Sequence, residues 1–149
     1  NFLIVGHSSG IGMALSQKLA GQHRVFGTYC NHPVKETHPQ VSSHRLDILE
    51  GSPDFSFLPE SLDGVAYCPG LINLKPFHRL TEEDFINDYR LQVTGAIKTI
   101  QSCLPALKKS SSAGIVLFST VAVQTGSSFH SLVSSSKGAT APICPSPAY

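Results

Sequence analysis

Charge is scarce in this sequence, and neither sign dominates. Only 14% of the 149 residues are Asp, Glu, Lys or Arg, and eleven basic against ten acidic residues leave a formal charge of +1. That balance gives no broad electrostatic footprint for a nucleic acid or an anionic membrane surface. No apolar run approaches the roughly 20 residues that span a bilayer. The opening Asn-Phe-Leu-Ile-Val-Gly has neither the charged start nor the cleavage site of a secretory leader. The expectation is a soluble, cytoplasmic protein without nucleic-acid or membrane partners. Cys30, Cys68, Cys103 and Cys144 form no C-x-x-C pair, and no histidine stands at zinc-finger spacing. No metal and four free thiols are therefore expected. The seven histidines are scattered, and His23, His32, His38 and His44 read as surface or loop residues.

What the chain does have is a sizeable apolar fraction, 41%, and a length that suits one domain over residues 1–149. Short β-rich runs alternate with helical spacing, the pattern of an α/β fold with a parallel sheet. Strands are expected over residues 2–6, 24–29, 42–46, 64–68 and 114–119. Ile11, Ala14, Leu15 and Leu19 fall at helical spacing, with Gly21 as a C-cap. Two prolines and a glycine between Asp47 and Asp63 leave room only for a short crossover helix. Thr81-Glu-Glu-Asp84 starts a long helix like a capping box. That helix runs through Phe85, Tyr89, Val93, Ala96, Ile100 and Leu104, with Pro105 as a place for a kink. Residues 131–139 open another helix, and the proline-rich residues 141–149 form an atypical tail.

The segment Gly6-His7-Ser8-Ser9-Gly10-Ile11-Gly12 follows a strand and opens a helix. Glycine permits positive φ and a close approach of backbone to a pyrophosphate. The helix N-terminus then offers unpaired N–H groups and the positive end of its dipole. Nucleotide binding is the functional reading. A turn that merely packs helix on sheet is the bland one.

This spacing resembles the short-chain dehydrogenase/reductase family, and the similarity extends from Phe2 to about Thr140. The resemblance implies a Rossmann-like, doubly wound parallel sheet in three α/β/α layers. That sheet is incomplete on its C-terminal side, because family members usually run longer, and a truncated product is expected. It also implies NAD(P) as cofactor, bound by Gly6, His7, Ser8, Ser9, Gly10, Ile11 and Gly12 of the turn. Tyr29, Asp47, Ile48 and Gly70 would also bind the cofactor, Asp47 at the adenine ring, and Lys137 would bond the nicotinamide ribose hydroxyls. Tyr67-Cys68-Pro69-Gly70 stands in the slot of the family's Asn-Asn-Ala-Gly, and Gln92 in that of a helix Asn.

The family's catalytic Tyr-x-x-x-Lys becomes Val133-Ser-Ser-Ser-Lys137. Valine cannot move a proton. Thr120 stands where the catalytic serine usually sits, either to bond a substrate carbonyl or to satisfy its own backbone. His130 is the nearest replacement proton donor, since imidazole titrates near neutrality, or it simply faces water. Tyr67, beside the expected cofactor, is a further candidate. The end of the second strand, Thr28-Tyr29-Cys30, lacks the acid that binds a ribose 2′-OH, and His7 is near where a 2′-phosphate would lie. NADP is thus favoured, with NAD as the alternative. The expected function is an NAD(P)-dependent oxidoreductase, homo-oligomeric, acting on an unidentified small carbonyl or alcohol with an altered active site. The competing reading is a non-catalytic nucleotide-binding or scaffolding protein.

Overall fold

The computed structural model describes residues 1–35 and 38–143. Two compact units divide the chain, Asn1–Cys68 with Lys98–Val116, and Pro69–Ile97 with Leu117–Tyr149.

The first unit carries the sheet. Its strands are β1 (Phe2–Val5), β2 (Val25–Tyr29), β3 (Val41–Arg45), β4 (Gly64–Tyr67) and β5 (Gly114–Leu117), in the order β3-β2-β1-β4-β5. β1 pairs in parallel with β2 and with β4, and β2 with β3. This is the doubly wound order, in which the chain reverses direction beside β1, and ligands bind at the carboxyl ends of the strands there. Ile4, Val25 and Ala66 form a buried cluster, with Leu15, Leu19, Val41 and Cys68 packed against it.

Helix α1 (Gly10–Ala20) buries Gly12, Ser16 and Ala20, three small residues one turn apart. The expected apolar stripe is corrected over its first half, since Ile11 and Ala14 are both exposed. Gly21 follows the helix in right-handed conformation, so it is not the left-handed cap that glycine supplies elsewhere. The N–H groups of Gln22 and His23 both donate to the Leu19 carbonyl and close the end.

No helix forms between Asp47 and Asp63 among the described residues. Pro53 and Pro59 lack N–H donors. Asp47 accepts from the Leu49 N–H at 2.9 Å and Asp54 from the Ser56 N–H at 2.8 Å, turns that compete with helix. His44 is not a surface residue, because it is half-buried and stacks on Phe57 with ring centroids 4.1 Å apart.

The second unit holds α2 (Glu82–Tyr89), α4 (Ala122–Thr125) and α5 (Ser131–Thr140). Thr81 caps α2 as expected. Its hydroxyl accepts from the Asp84 N–H at 3.2 Å and its own N–H donates to the Asp84 carboxylate at 3.0 Å. The single long helix is interrupted, because residues Arg90–Thr94 form a π-helical turn before α3 (Gly95–Leu107), which runs on into the first unit. Pro105 lies inside α3. Residues Ala141–Ile143 make a 3₁₀ turn, and the rest of the expected tail, with Cys144, lies outside the described residues. Cys30, Cys68 and Cys103 carry no disulfide among the described residues. No described helix is long and apolar enough to cross a membrane.

Candidate functional site

The turn from β1 into α1 is built by its glycines. Gly6 and Gly10 take positive φ, 77° and 52°. A Cβ on Gly12 would stand 2.2 Å from the Gly6 carbonyl oxygen, so the first turn of α1 lies directly on the turn below. The Gly6 N–H donates to the Thr28 hydroxyl at 3.3 Å and the His7 N–H to the Thr28 carbonyl at 2.9 Å, which tie the turn to β2. Ser9, Gly10 and Ile11 are exposed at the N-terminus of α1, and Ser9 makes no side-chain cap. The early N–H groups of α1 are therefore presented outward.

His7 departs from expectation. Its ring is buried, 2% exposed, with Nε2 2.6 Å from the Ser43 hydroxyl. It packs so closely on Gly27 that a Cβ there would meet the ring at 2.4 Å. Burial, helped by the neighbouring His44, lowers its pKa, so the ring stays neutral near pH 7 and displays no cation to a 2′-phosphate. At the far end of β2, Tyr29 is half-buried. One Asp47 oxygen is taken by Leu49, and Ile48 is buried. Burial and the Asp47 charge raise the Cys30 thiol.

In the second unit a polar cluster forms around α2, the π turn and α5. Gln92 is fully buried, and its Nε2 donates to both carboxylate oxygens of Asp88, at 2.9 and 2.8 Å. Ser136 donates to the same carboxylate. Gln92 Oε1 has no partner among the described residues. It lies 3.4 Å from where a Cβ on Gly70 would be, and Lys137 Nζ lies 3.6 Å from that same point. Gly70, Gln92 and Lys137 are thus brought together.

Thr120 and His130 are engaged locally. The Thr120 hydroxyl accepts from the Ala122 N–H at 3.3 Å, the self-satisfying role open to it from the sequence. His130 precedes α5, and its Nδ1 donates to the Ser128 carbonyl at 2.7 Å. Asp88 and Ser136 were not foreseen. The spacing of Asp88, four residues before Gln92 in a helical stretch, is the signal that would have found the pair.

A family model described as short chain dehydrogenase matches residues 56–146. The chain belongs to the short chain dehydrogenase family. Among solved structures it is similar to serine dehydrogenase from Escherichia coli, at 17% identity and a TM-score of 0.83, covering 93% of this chain and 70% of that one. A short chain dehydrogenase from Shigella flexneri gives 23% identity and a TM-score of 0.82, with 95% and 63% covered. A closed form of serine dehydrogenase complexed with NADP+ gives 17% and 0.83, with 93% and 61% covered. No curated protein matches in sequence. At these identities the structures show the fold, and the chain spans 61 to 70% of those three chains.

Val133, which the sequence sets in the slot of the family's tyrosine, is buried. Tyr67 does not replace that tyrosine. Its side chain is 2% exposed and burial drives its pKa far above the ordinary phenol value, which makes it a poor proton donor at neutral pH.

Proposed function

We propose that this chain binds NADP(H) through residues 6–12 and acts as an oxidoreductase on a small carbonyl or alcohol. The geometry of Gly12 on the Gly6 carbonyl carries the proposal. It holds the start of α1 against the turn while the helix N–H groups face outward, a cradle for a pyrophosphate. A nicotinamide cofactor bound there supplies the hydride.

The chain's own residues fall into roles by the family pattern. Gly6, Ser8, Ser9, Gly10, Ile11 and Gly12 bind the phosphates through backbone and hydroxyl groups. Tyr29, Asp47 and Ile48 border the adenosine. Gly70 and Lys137 orient the nicotinamide ribose. Thr120 keeps a hydroxyl hydrogen to donate to a substrate oxygen. His130 is the remaining titratable side chain of that segment, and with its Nδ1–H given to the Ser128 carbonyl its Nε2 must first take up a proton before it can donate one. The preference for NADP over NAD rests on the absence of an acid at Thr28, Tyr29 and Cys30 rather than on His7. A cytoplasmic homo-oligomer is part of the same reading.

One observation favours a second reading, a nucleotide-binding protein without catalysis. Val133 is buried, and losing a positioned general acid costs about 10²–10⁴ in rate. Titration with NADPH and NADH by cofactor fluorescence, beside a panel of ketones and aldehydes, tests both. NADPH binding tighter than NADH, with carbonyl-dependent oxidation, is the expected result. Binding without oxidation supports the second reading, and no binding of either cofactor overturns the proposal.

A further inference from the structure

A cavity of about 240 Å³ opens in the first unit, lined by His7, Met13, Ser16, Gln17, Val34, Lys35, His38 and Val41. The connection from β2 to β3 carries no helix among the described residues, and its Val34, Lys35 and His38 lie across the cavity from one flank of α1. Met13, Ser16 and Gln17 share that flank, being three and four residues apart.

The walls are mixed in an orderly way. Met13, Val34 and Val41 give an apolar body. Ser16 is 3% exposed, and its hydroxyl has no hydrogen-bond partner among the described residues. Leaving such a group unpaired is unfavourable, so a ligand atom that bonds it is favoured. His38 Nδ1 accepts from the Gln40 N–H at 3.2 Å, which leaves Nε2 as the proton-bearing donor. Lys35 adds an ammonium at the exposed rim. The buried His7 ring, held by Ser43, serves as wall.

We propose that this cavity is a binding site for a small apolar carboxylic acid. Its apolar body lies on Met13, Val34 and Val41, its carboxylate meets Lys35 and His38, and a polar atom of it reaches Ser16. The volume sets the size. An apolar cavity of about 150 Å³ admits benzene, and drug-sized ligands need at least about 300 Å³. The occupant is therefore of the size of one ring bearing a carboxylate.

Met13 is the sole methionine of the chain, so its ε-methyl is a unique reporter. The whole protein, labelled at that methyl, is titrated with benzoate and with benzyl alcohol and followed by NMR. Benzoate should give a saturable shift with a dissociation constant of about 1 mM or tighter. Benzyl alcohol should bind more weakly. Lys35→Gln should weaken benzoate about threefold, the scale of an exposed ion pair, and leave benzyl alcohol unchanged. Val34→Phe fills the cavity and should remove both responses. Should that variant misfold, Gln17→Trp at the exposed mouth does the same from α1. No saturable shift up to about 10 mM, or a benzoate response that survives the filling variants, overturns the site. Equal response to the two probes, insensitive to Lys35→Gln, overturns the acid.

Discussion

The Gln92 carboxamide is locked to Asp88, its nitrogen donating to both carboxylate oxygens while its oxygen is turned toward Gly70. The lock spans one helical turn, from the last residues of α2 into the π turn. Ser136 of α5 closes it from the other side. Asp88 is thus the common acceptor that joins two helical segments of the second unit and fixes which end of the amide faces the glycine.

Removing that acceptor should be costly. Asp88→Ala leaves the Gln92 amide and the Ser136 hydroxyl buried without a partner, and each such group costs about 1–3 kcal/mol. A loss of roughly 2–4 kcal/mol in urea denaturation is expected. Asp88→Asn retains an acceptor oxygen and should lose about half as much or less. Equal losses for the two variants would mean that the carboxylate packs rather than accepts.

The five strands and the capped helix were legible because their signals are local. Apolar runs such as residues 2–5 have one way to be buried, and Thr81 with Asp84 satisfies N–H groups within a single turn. The glycine turn was legible for the same reason. What escaped depends on the partner that a side chain meets. His7 follows a glycine in the turn, and the sequence alone offers it to a ligand. Only the pairing of β2 with β3 brings Ser43 and Gly27 to it and folds the ring inward. Ile11 fits a helical stripe, yet at the first turn of α1 that stripe has not reached the sheet. The π turn at Arg90–Thr94 has no composition of its own, and Ser136 was hidden in a run of three serines.

The two helix-opening glycines should respond differently to alanine. A Cβ on Gly10 meets nothing within 4 Å, so Gly10→Ala carries only the strain of φ 52°, about 1–2 kcal/mol, in a folded protein. A Cβ on Gly12 would strike the Gly6 carbonyl, backbone that cannot move aside. Gly12→Ala should therefore cost more than Gly10→Ala in a urea melt and abolish NADPH binding by lifting α1 off the turn. The residue is needed for the turn's own packing before any phosphate arrives. A Gly12→Ala protein as stable as Gly10→Ala, with NADPH affinity intact, would contradict this.

Acid should loosen the first unit at a pH set by histidines. Burial lowers the pKa of both His7 and His44 below the ordinary 6.5, with the charge of His44 adding to the effect on His7. The unfolded chain then binds protons at a higher pH than the folded one. Stability is full above about pH 6.5 and falls as the pH drops from there through the depressed folded values. Asp54, Asp63 and Asp84 are also lowered, each held by hydrogen bonds, and their contribution is lost only below the ordinary carboxylate value of 3.8. The urea midpoint should thus decline first just below neutrality and again in strong acid. The double variant His7→Gln, His44→Gln should lose the first step alone. A first step of unchanged size in that variant would assign it elsewhere.

Restoring the phenol should test whether Val133 limits catalysis. Val133 and Lys137 are four residues apart on α5 and share a helix face. A tyrosine there would stand one turn from the ammonium, the arrangement in which lysine draws a phenol's pKa down from about 10 toward the working range. Val133 is buried, so the larger ring must displace neighbours at about 1–3 kcal/mol. A thermal melt and NADPH titration must therefore accompany every rate. With folding and binding retained, Val133→Tyr should raise NADPH-dependent carbonyl reduction at least about tenfold. The gain is set below the full 10²–10⁴ of a general acid because Gln92, pinned to Asp88, stands in the slot of the family's helix Asn, and because Thr120 spends one lone pair on the Ala122 N–H. Thr120→Ser should leave that gain in place, since serine offers the same hydroxyl. Thr120→Ala in the Val133→Tyr background should remove it. A folded, NADPH-binding Val133→Tyr protein that reduces no carbonyl faster than the parent would mean that Gln92, Thr120 and Lys137 serve binding rather than hydride chemistry.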